Sequence, residues 1–457
     1  MSHIKTIVKA SKRNKDRAEA IRVRKHLNAD ALIASLRNRF KAISDNRAGN
    51  STVPLVDALM SGFAMFSLKD PSLLQFDLRR QAGGHNLRSL YGIKNIPSDS
   101  AMREILDGVS PDELRLAFKD VFRPLQRGKL LEKMVFMKGC YLLNLDGTGY
   151  FSSNKRHSPA CMQKVNSKTE EITYYLQMLG AAIVHPERKE VIPLCPEMIM
   201  QQDGTNKNDC ERNAAKRFIA HLRREHPHLP LIVNEDALSS NAPHIRDLQE
   251  HNLHYILGVK PGDHEFLFQF VDNAAEQGKT TEFVVEDEKK LHIHHCFRLL
   301  NNVPLNASNQ DLRVNFIEYW QHDSKTGKVL HFTWITDFTV SRENAMQIMR
   351  GGRARWKIEN ETFNTLKNQG YHFEHNYGLG KQHLSTVFVL LMMLAFLVDQ
   401  IQQLCCQLFN AALKRARGKK NFWDWVRSLF RVMMLDSMEQ LYRVILNPEP
   451  QRLVQVE

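Results

Sequence analysis

The stretch Cys140-Tyr-Leu-Leu-Asn-Leu-Asp146-Gly-Thr-Gly149 places a short apolar run, bounded by glycine, directly ahead of a carboxylate. Pro230-Leu-Ile-Val-Asn-Glu-Asp236 repeats that arrangement further along the chain. A strand buried in an α/β sheet exposes side chains at its carboxyl edge, so both stretches read as strands that end in an acid. Between them lie two more strand candidates, at 174–184 and 190–194. A helix follows over 208–221, with Asn208 as its cap and Glu211 at the third helical position. The order strand, strand, strand, helix, strand predicts an α/β core, a mixed sheet flanked by helices.

Working outward, residues 56–131 repeat apolar side chains at three and four, and Ser110-Pro111-Asp112-Glu113 reads as a capping box with proline in the first helical position. An all-α N-terminal domain is expected there, of the kind that presents a helix to a DNA groove, although it lacks a clean helix-turn-helix spacing. Ahead of it, residues 1–55 form a basic arm or helix: Lys5, Lys9, Lys12, Arg13, Lys15 and Arg17 stand in the first twenty positions without an apolar signal-peptide core. The sheet core is expected over 132–254 and again over 341–400. Between them, 255–340 reads as a β-rich insertion, with turns at Lys260-Pro-Gly-Asp263 and Ser324-Lys-Thr-Gly-Lys328 and one helix over 265–277. Its return to helix is signalled by Ser341-Arg-Glu-Asn344. The greasy run 384–398 stops at Asp399 and is too short for a bilayer, so it reads as a buried helix and no membrane is expected. A helical region closes the chain over 401–457.

At 457 residues, 43% apolar and 25% charged, the chain is long enough for roughly three domains and is neither disordered nor fibrous. Its net charge of +13 favours a polyanionic partner, nucleic acid first, over a small neutral ligand. Seven scattered cysteines without a repeated pairing pattern suit a reducing compartment, the cytoplasm.

Two carboxylates at neighbouring strand ends repel each other unless a positive charge sits between them. Magnesium suits that place, being a hard cation that takes one or two protein carboxylates and leaves other positions to water and phosphate. A helical carboxylate, Glu359 or Glu361, would complete a site for two ions that clamp the attacking and leaving oxygens of a phosphodiester, with manganese as a substitute. On these residues alone the choice between Glu359 and Glu361 stays open, because two positions apart on a helix point to nearly opposite faces.

With those acids goes the stretch Gly352-Arg-Ala-Arg-Trp-Lys-Ile-Glu359-Asn-Glu361-Thr-Phe-Asn-Thr-Leu-Lys-Asn-Gln-Gly370. It resembles the third-acid segment of the DDE insertion-sequence transposases, which have an RNase H-like catalytic core interrupted by a β-rich insertion. Asn144-Leu-Asp-Gly-Thr148, Asp236-Ala-Leu-Ser-Ser-Asn-Ala-Pro243 and the link Gln201-Gln-Asp-Gly-Thr-Asn-Lys-Asn-Asp-Cys-Glu211 support the likeness, which covers 134–400. The resemblance implies Asp146, Asp236 and Glu359 as catalytic and metal-holding acids. It implies cleavage at the terminal inverted repeats of a mobile element, strand transfer into target DNA, and a homodimer on that DNA, in a bacterial cytoplasm where the bound protein joins the nucleoid. A nuclease of the same fold without strand transfer, or a non-catalytic DNA-binding derivative, are the alternatives. Two departures stand out against the pattern Tyr-x2-Arg-x3-Glu-x6-Lys. Gly352 occupies the tyrosine position, and Lys367 lies one residue too far along, a rotation of about 100° on a helix. Arg353, Arg355, Lys357 and Lys367, joined by Lys260, are the expected DNA-backbone contacts.

Two weaker clusters, His292-Leu-His294-His295-Cys296 and His157 with Cys161, have metal-ligand residue types, but each reads more simply as strand or connector. Phe422-Trp423 and Trp425, beside Lys414, Arg415, Arg417, Lys419 and Lys420, read as an amphipathic helix with a basic face.

Overall fold

From 141 to 145 every side chain of the first acidic stretch is buried, the pattern of a strand covered on both faces. The computed structural model, which describes residues 18–47, 51–82, 84–201, 210–287 and 289–448, makes this run part of a long strand, β2 (Cys140–Ser153). The other strands are β1 (Val135–Met137), β3 (Met162–Val165), β4 (Ile172–Val184), β5 (Ile192–Pro193), β6 (Glu197–Ile199), β7 (Leu231–Glu235), β8 (His254–Gly258), β9 (Thr281–Glu286), β10 (Ile293–Pro304), β11 (Arg313–Asp323) and β12 (Val329–Thr336). They form one mixed sheet in the order β3-β4-β2-β7-β8-β12-β11-β10-β9, with β1 on β2, and β5 and β6 on β4. β2, β7 and β8 run parallel, and their neighbours on both sides run antiparallel.

The first acid does not end its strand, as the sequence had suggested. β2 continues past Asp146 to Ser153 because β4 pairs with it throughout, Asp146 lying opposite Gly180. What ends is the partner on the other side: β7 pairs with β2 only from Tyr141 to Asn144. Asp146 is therefore released at the edge where β7 stops, and Asp236 directly follows that stop.

The segment expected as an insertion continues the same sheet. β12 joins β8 antiparallel over Trp334–Gly258, Ile335–Leu257 and Thr336–Ile256, and β11, β10 and β9 follow outward. The boundary expected at 255 falls inside β8, which pairs in parallel with β7. The helix Glu265–Glu276 connects β8 to β9 and packs on β10.

The helices ahead of the sheet and those behind it share one body. Leu384–Cys405, a helix of 22 residues, packs against Leu55–Ser67, Asp99–Asp107 and Pro111–Arg127, and every residue from Leu384 to Gln402 is buried. It is long and apolar enough to cross a membrane, yet its apolar stretch is buried inside the protein. It outruns the expected stop at Asp399 because that carboxylate is paired with Lys69 in the interior. Contacts between the two ends of the chain close the body. Asn86 donates to the carbonyls of Phe430 and Met433 and accepts from Leu435 N, while the carboxylate of Asp30 caps the helix Met438–Leu446. The expected divisions at 56, 131 and 401 thus do not separate packed units. Lys5 to Arg17 lie outside the described residues.

Local signals hold unevenly. The Ser341–Asn344 capping box forms, with Ser341 N donating to Asn344 Oδ1 at 2.9 Å. Ser110 precedes its helix without a side-chain cap bond, leaving the start to Pro111. The helix expected from 208 begins at Glu211, behind Cys210 as cap, and Asn208 is outside the described residues.

Gly352, the departure from the transposase pattern, has a packing reason. A Cβ there would lie 2.4 Å from the indole of Trp334, on the strand next to β8. The helix Arg342–Arg353 can lie this close to the sheet only without that side chain. Gly352→Ala is expected to cost about 1–3 kcal/mol through overpacking against a rigid ring. A urea unfolding curve indistinguishable from wild type would show that the helix tolerates the extra methyl.

Candidate active site

Asp146 Oδ2 accepts from Arg355 Nη1 at 3.0 Å, and Arg355 Nη2 donates to Glu359 Oε1 at 2.8 Å. One guanidinium therefore spans two of the three expected acids. Their elements explain the meeting: Asp146 stands on the freed edge of β2, and the helix Arg342–Arg353 lies across the sheet close to Trp334. Beyond that helix the backbone widens into a π-type turn over Ile358–Phe363. Such turns alter which side chains share a face and recur at functional sites. Here Glu359 goes to Arg355, while Glu361 exerts its charge on Lys357 and Lys419 instead.

Asp236 and Asp146 line the same cleft, of about 430 Å³, together with Glu211, Glu235 and His244. Asp236 Oδ1 accepts from Leu238 N at 3.0 Å, which fixes the turn Ala237–Ser239 after β7. Glu359 is not among the residues lining this cleft and reaches Asp146 through Arg355. Glu235 is buried, with His244 Nε2 2.6 Å from it and Ser239 Oγ donating to it. Burial alone would lower the pKa of His244, but the Glu235 carboxylate outweighs it and raises the imidazole above its ordinary range.

Glu211 is one of the cleft residues that the sequence did not announce, since it read as part of a helix cap. Its carboxylate packs on the backbone of Gly147, so closely that a Cβ at 147 would lie 2.0 Å from Oε1. The glycine beside Asp146 was the visible trace of this approach, but nothing in the sequence named the approaching group. Burial raises the pKa of Glu211, and the nearby Asp236 and Glu235 add to the rise.

Asp146 feels the same crowding. Burial, helped by Glu359 and Glu211 and opposed by Arg355, pushes its pKa up to about 6 from an ordinary 3.8. Below 3.8 the folded and unfolded chains both carry the proton, so no penalty exists. Above 6 both are ionised and the folded state holds the carboxylate at a cost, so stability falls as pH rises between these values. Without divalent metal, Asp146→Asn is expected to melt later than wild type at pH 8 by about 1–3 kcal/mol, with the gap closing as pH falls from 6 toward 4. A gap that is independent of pH would remove this cause.

The expected cations separate. Arg355 joins the acids. Arg353 donates to Gln321 at 2.7 Å and lies over the ring of Phe332. Lys357 is buried, its Nζ donating to the carbonyl of Arg188, and burial lowers its pKa. Lys367 pairs with Glu374 at 2.8 Å rather than with the acids. Lys260 is exposed in the turn after β8, at the same sheet edge as Asp236. Arg350, Arg353, Lys290 and Lys357 line a second cleft of about 350 Å³.

The histidine clusters have structural partners. His295 bonds Tyr319 Oη at 2.7 Å, and His157 stacks on Tyr174. Among the described residues, no three His, Cys, Asp or Glu side chains gather in a preformed metal-holding set. Phe422 and Trp423 are core residues, and Trp425 is the exposed one of these three aromatics.

Residues 185–397 match the family model described as a transposase DDE domain. Over that span the chain is similar to the DDE domain of transposases. The DDE domain match includes Asp236, Arg355 and Glu359, whereas Asp146 precedes it on the strand beside β7. No curated protein matches the chain.

Proposed function

We propose that this protein is a transposase that cleaves DNA at the ends of its element and joins the freed 3′ ends to target DNA, using Asp146, Asp236 and Glu359. The observation that carries the reading is the guanidinium of Arg355 held between Asp146 and Glu359, beside the cleft shared with Asp236. Parallel β2, β7 and β8 with antiparallel β4 support an RNase H-like core, and β9–β12 the inserted part.

The donor set fits a hard divalent cation. Carboxylates crowd one another here, Asp146 is held well above its ordinary pKa, and a cation would relieve what Arg355 relieves only in part. Asp146, Asp236 and Glu359 would hold magnesium, or manganese in its place. Bound there, the ions supply charge to activate the attacking oxygen and stabilise the leaving one. Before metal binds, Arg355 orients Asp146 and Glu359 and balances their charge. The second cleft, with Arg350, Arg353 and Lys290 on its wall, receives the DNA backbone, joined by Lys260 at the sheet edge of Asp236. Lys357 and Lys367 contact phosphate only by leaving their present partners, Arg188 and Glu374. Two element ends held together call for a homodimer on the inverted repeats, and the cytoplasm, at the nucleoid, is where that DNA is found.

The decisive assay supplies precut element ends, a target plasmid and magnesium. Joined product is expected. Cleavage of uncut ends without any joining would instead assign a nuclease, and DNA binding with neither reaction a non-catalytic derivative.

A further inference from the structure

The last paired position of β2 and β7 holds two amides, Asn144 opposite Asn234, both at 0% exposure. Strand interiors of this kind are filled with Val, Ile and Leu, and a buried amide is costly unless its hydrogen bonds are made. Here the donors are all used. Asn234 Nδ2 donates to Asn144 Oδ1 at 3.1 Å and to the carbonyl of Gly351 at 2.9 Å. Asn144 Nδ2 donates to the carbonyls of Ala354 at 2.8 Å and Arg355 at 3.2 Å. Asn234 Oδ1 is left buried without a partner, so the pair is not simply the best way to fill the space.

Position gives the pair its meaning. Alternate residues of a strand share a face, so Asn144 stands on the face of Asp146, one step back from the site. Asn234 bears the same spacing to Asp236. The three carbonyls they grip belong to the end of the helix Arg342–Arg353 and the residues just after it, where the chain turns toward Glu359. Apolar contacts would hold this helix end down but let it slide along the sheet. Directional bonds to the carbonyls of Gly351, Ala354 and Arg355 fix where it stops.

We propose that Asn144 and Asn234 are positioning residues: an amide ladder that sets the height of Arg355 and Glu359 over the sheet edge bearing Asp146 and Asp236. The catalytic consequence rests on the reading of these acids given above, but the positioning itself does not.

The test is backbone hydrogen exchange, read by mass spectrometry on the full chain without DNA or metal, for Asn144→Leu against wild type. Leucine keeps the branching and the number of side-chain heavy atoms while removing both donors and the Oδ1 that accepts from Asn234. Peptides covering 351–363 are expected to exchange about ten-fold faster, while those from β4 and from the helix 384–405 are unchanged. Manganese binding to the protein alone, followed by electron paramagnetic resonance, is expected to weaken by a similar factor. If Asn144→Leu does not fold, Asn144→Ser, which retains one donor, carries the same measurement with a smaller expected increase. Unchanged exchange over 351–363 in a folded variant would overturn the ladder. A wild-type protein that neither cleaves nor joins DNA would overturn the reading of the acids and leave the exchange result standing.

Discussion

Asp146→Asn is expected to reduce both end cleavage and joining in magnesium by about a thousand-fold or more, the scale of losing a principal source of charge stabilisation at a phosphoryl centre. The substitution keeps the shape of the side chain and removes its charge, so the strand and its pairing with β4 stay intact. Arg355 then retains Glu359 alone. DNA affinity at moderate salt should change little, because the proposed backbone contacts are basic residues elsewhere. Asp236→Asn should behave alike. The third acid is separable by the same assay: Glu359→Gln is expected to join the inactive set. Glu361→Gln, altering a group that faces Lys357 and Lys419, should stay within a few-fold of wild type. Full strand transfer by Asp146→Asn would remove the triad. Activity in Glu359→Gln together with its loss in Glu361→Gln would reverse the choice between the two glutamates.

The second large effect lies in the helical body. Lys69 Nζ is 2.6 Å from Asp399 Oδ2, donates to the carbonyl of Ser67, and sits over the rings of Tyr371 and Trp423. Tyr371 Oη also donates to Asp399. The Lys69 side chain is at 0% exposure, and burial lowers its pKa to about 8 even with Asp399 beside it. Lys69 has φ +58°, so it ends the helix Leu55–Ser67 in the left-handed conformation, with Asp70 N bonded back to the carbonyl of Met65. Removing one partner leaves the other charged and buried. Lys69→Met alone is expected to cost about 3–5 kcal/mol in urea unfolding, and Asp399→Leu about as much. The double variant should recover most of the loss, because a matched apolar pair leaves no orphan charge. Additive losses in the double variant would show that packing, not the pairing of charges, dominates the site.

The parts of the fold that were legible in the sequence have strong local signals. Continuous burial at 231–235, the apolar helix beginning at 384 and the reciprocal Ser341–Asn344 cap each specify their element from within a few residues. What was not legible depends on partners remote in the chain. Asp146 was expected to end a strand, since its local sequence contains no trace of β4, which carries β2 onward. The helix stop expected at Asp399 failed because a carboxylate reads as a helix end unless its Lys69 partner is known. The candidate site shows the same division. Residue types and the likeness around Glu359 brought forward Asp146, Asp236 and Arg355. Glu211 remained hidden behind a capping role, and the grip of Asn144 and Asn234 on the helix end is written only in tertiary distances. Lys357 and Lys367, cations by sequence, find Arg188 and Glu374 first.

The most direct measurement is a crystal of the wild-type chain soaked in manganese and recorded at the metal's absorption edge. Anomalous density is expected within coordination reach of Asp146 and Asp236, with Arg355 displaced and Glu359 turned to the ion. Density confined to other side chains, or a cleft that stays empty at manganese concentrations supporting DNA joining, would contradict the assignment of these acids.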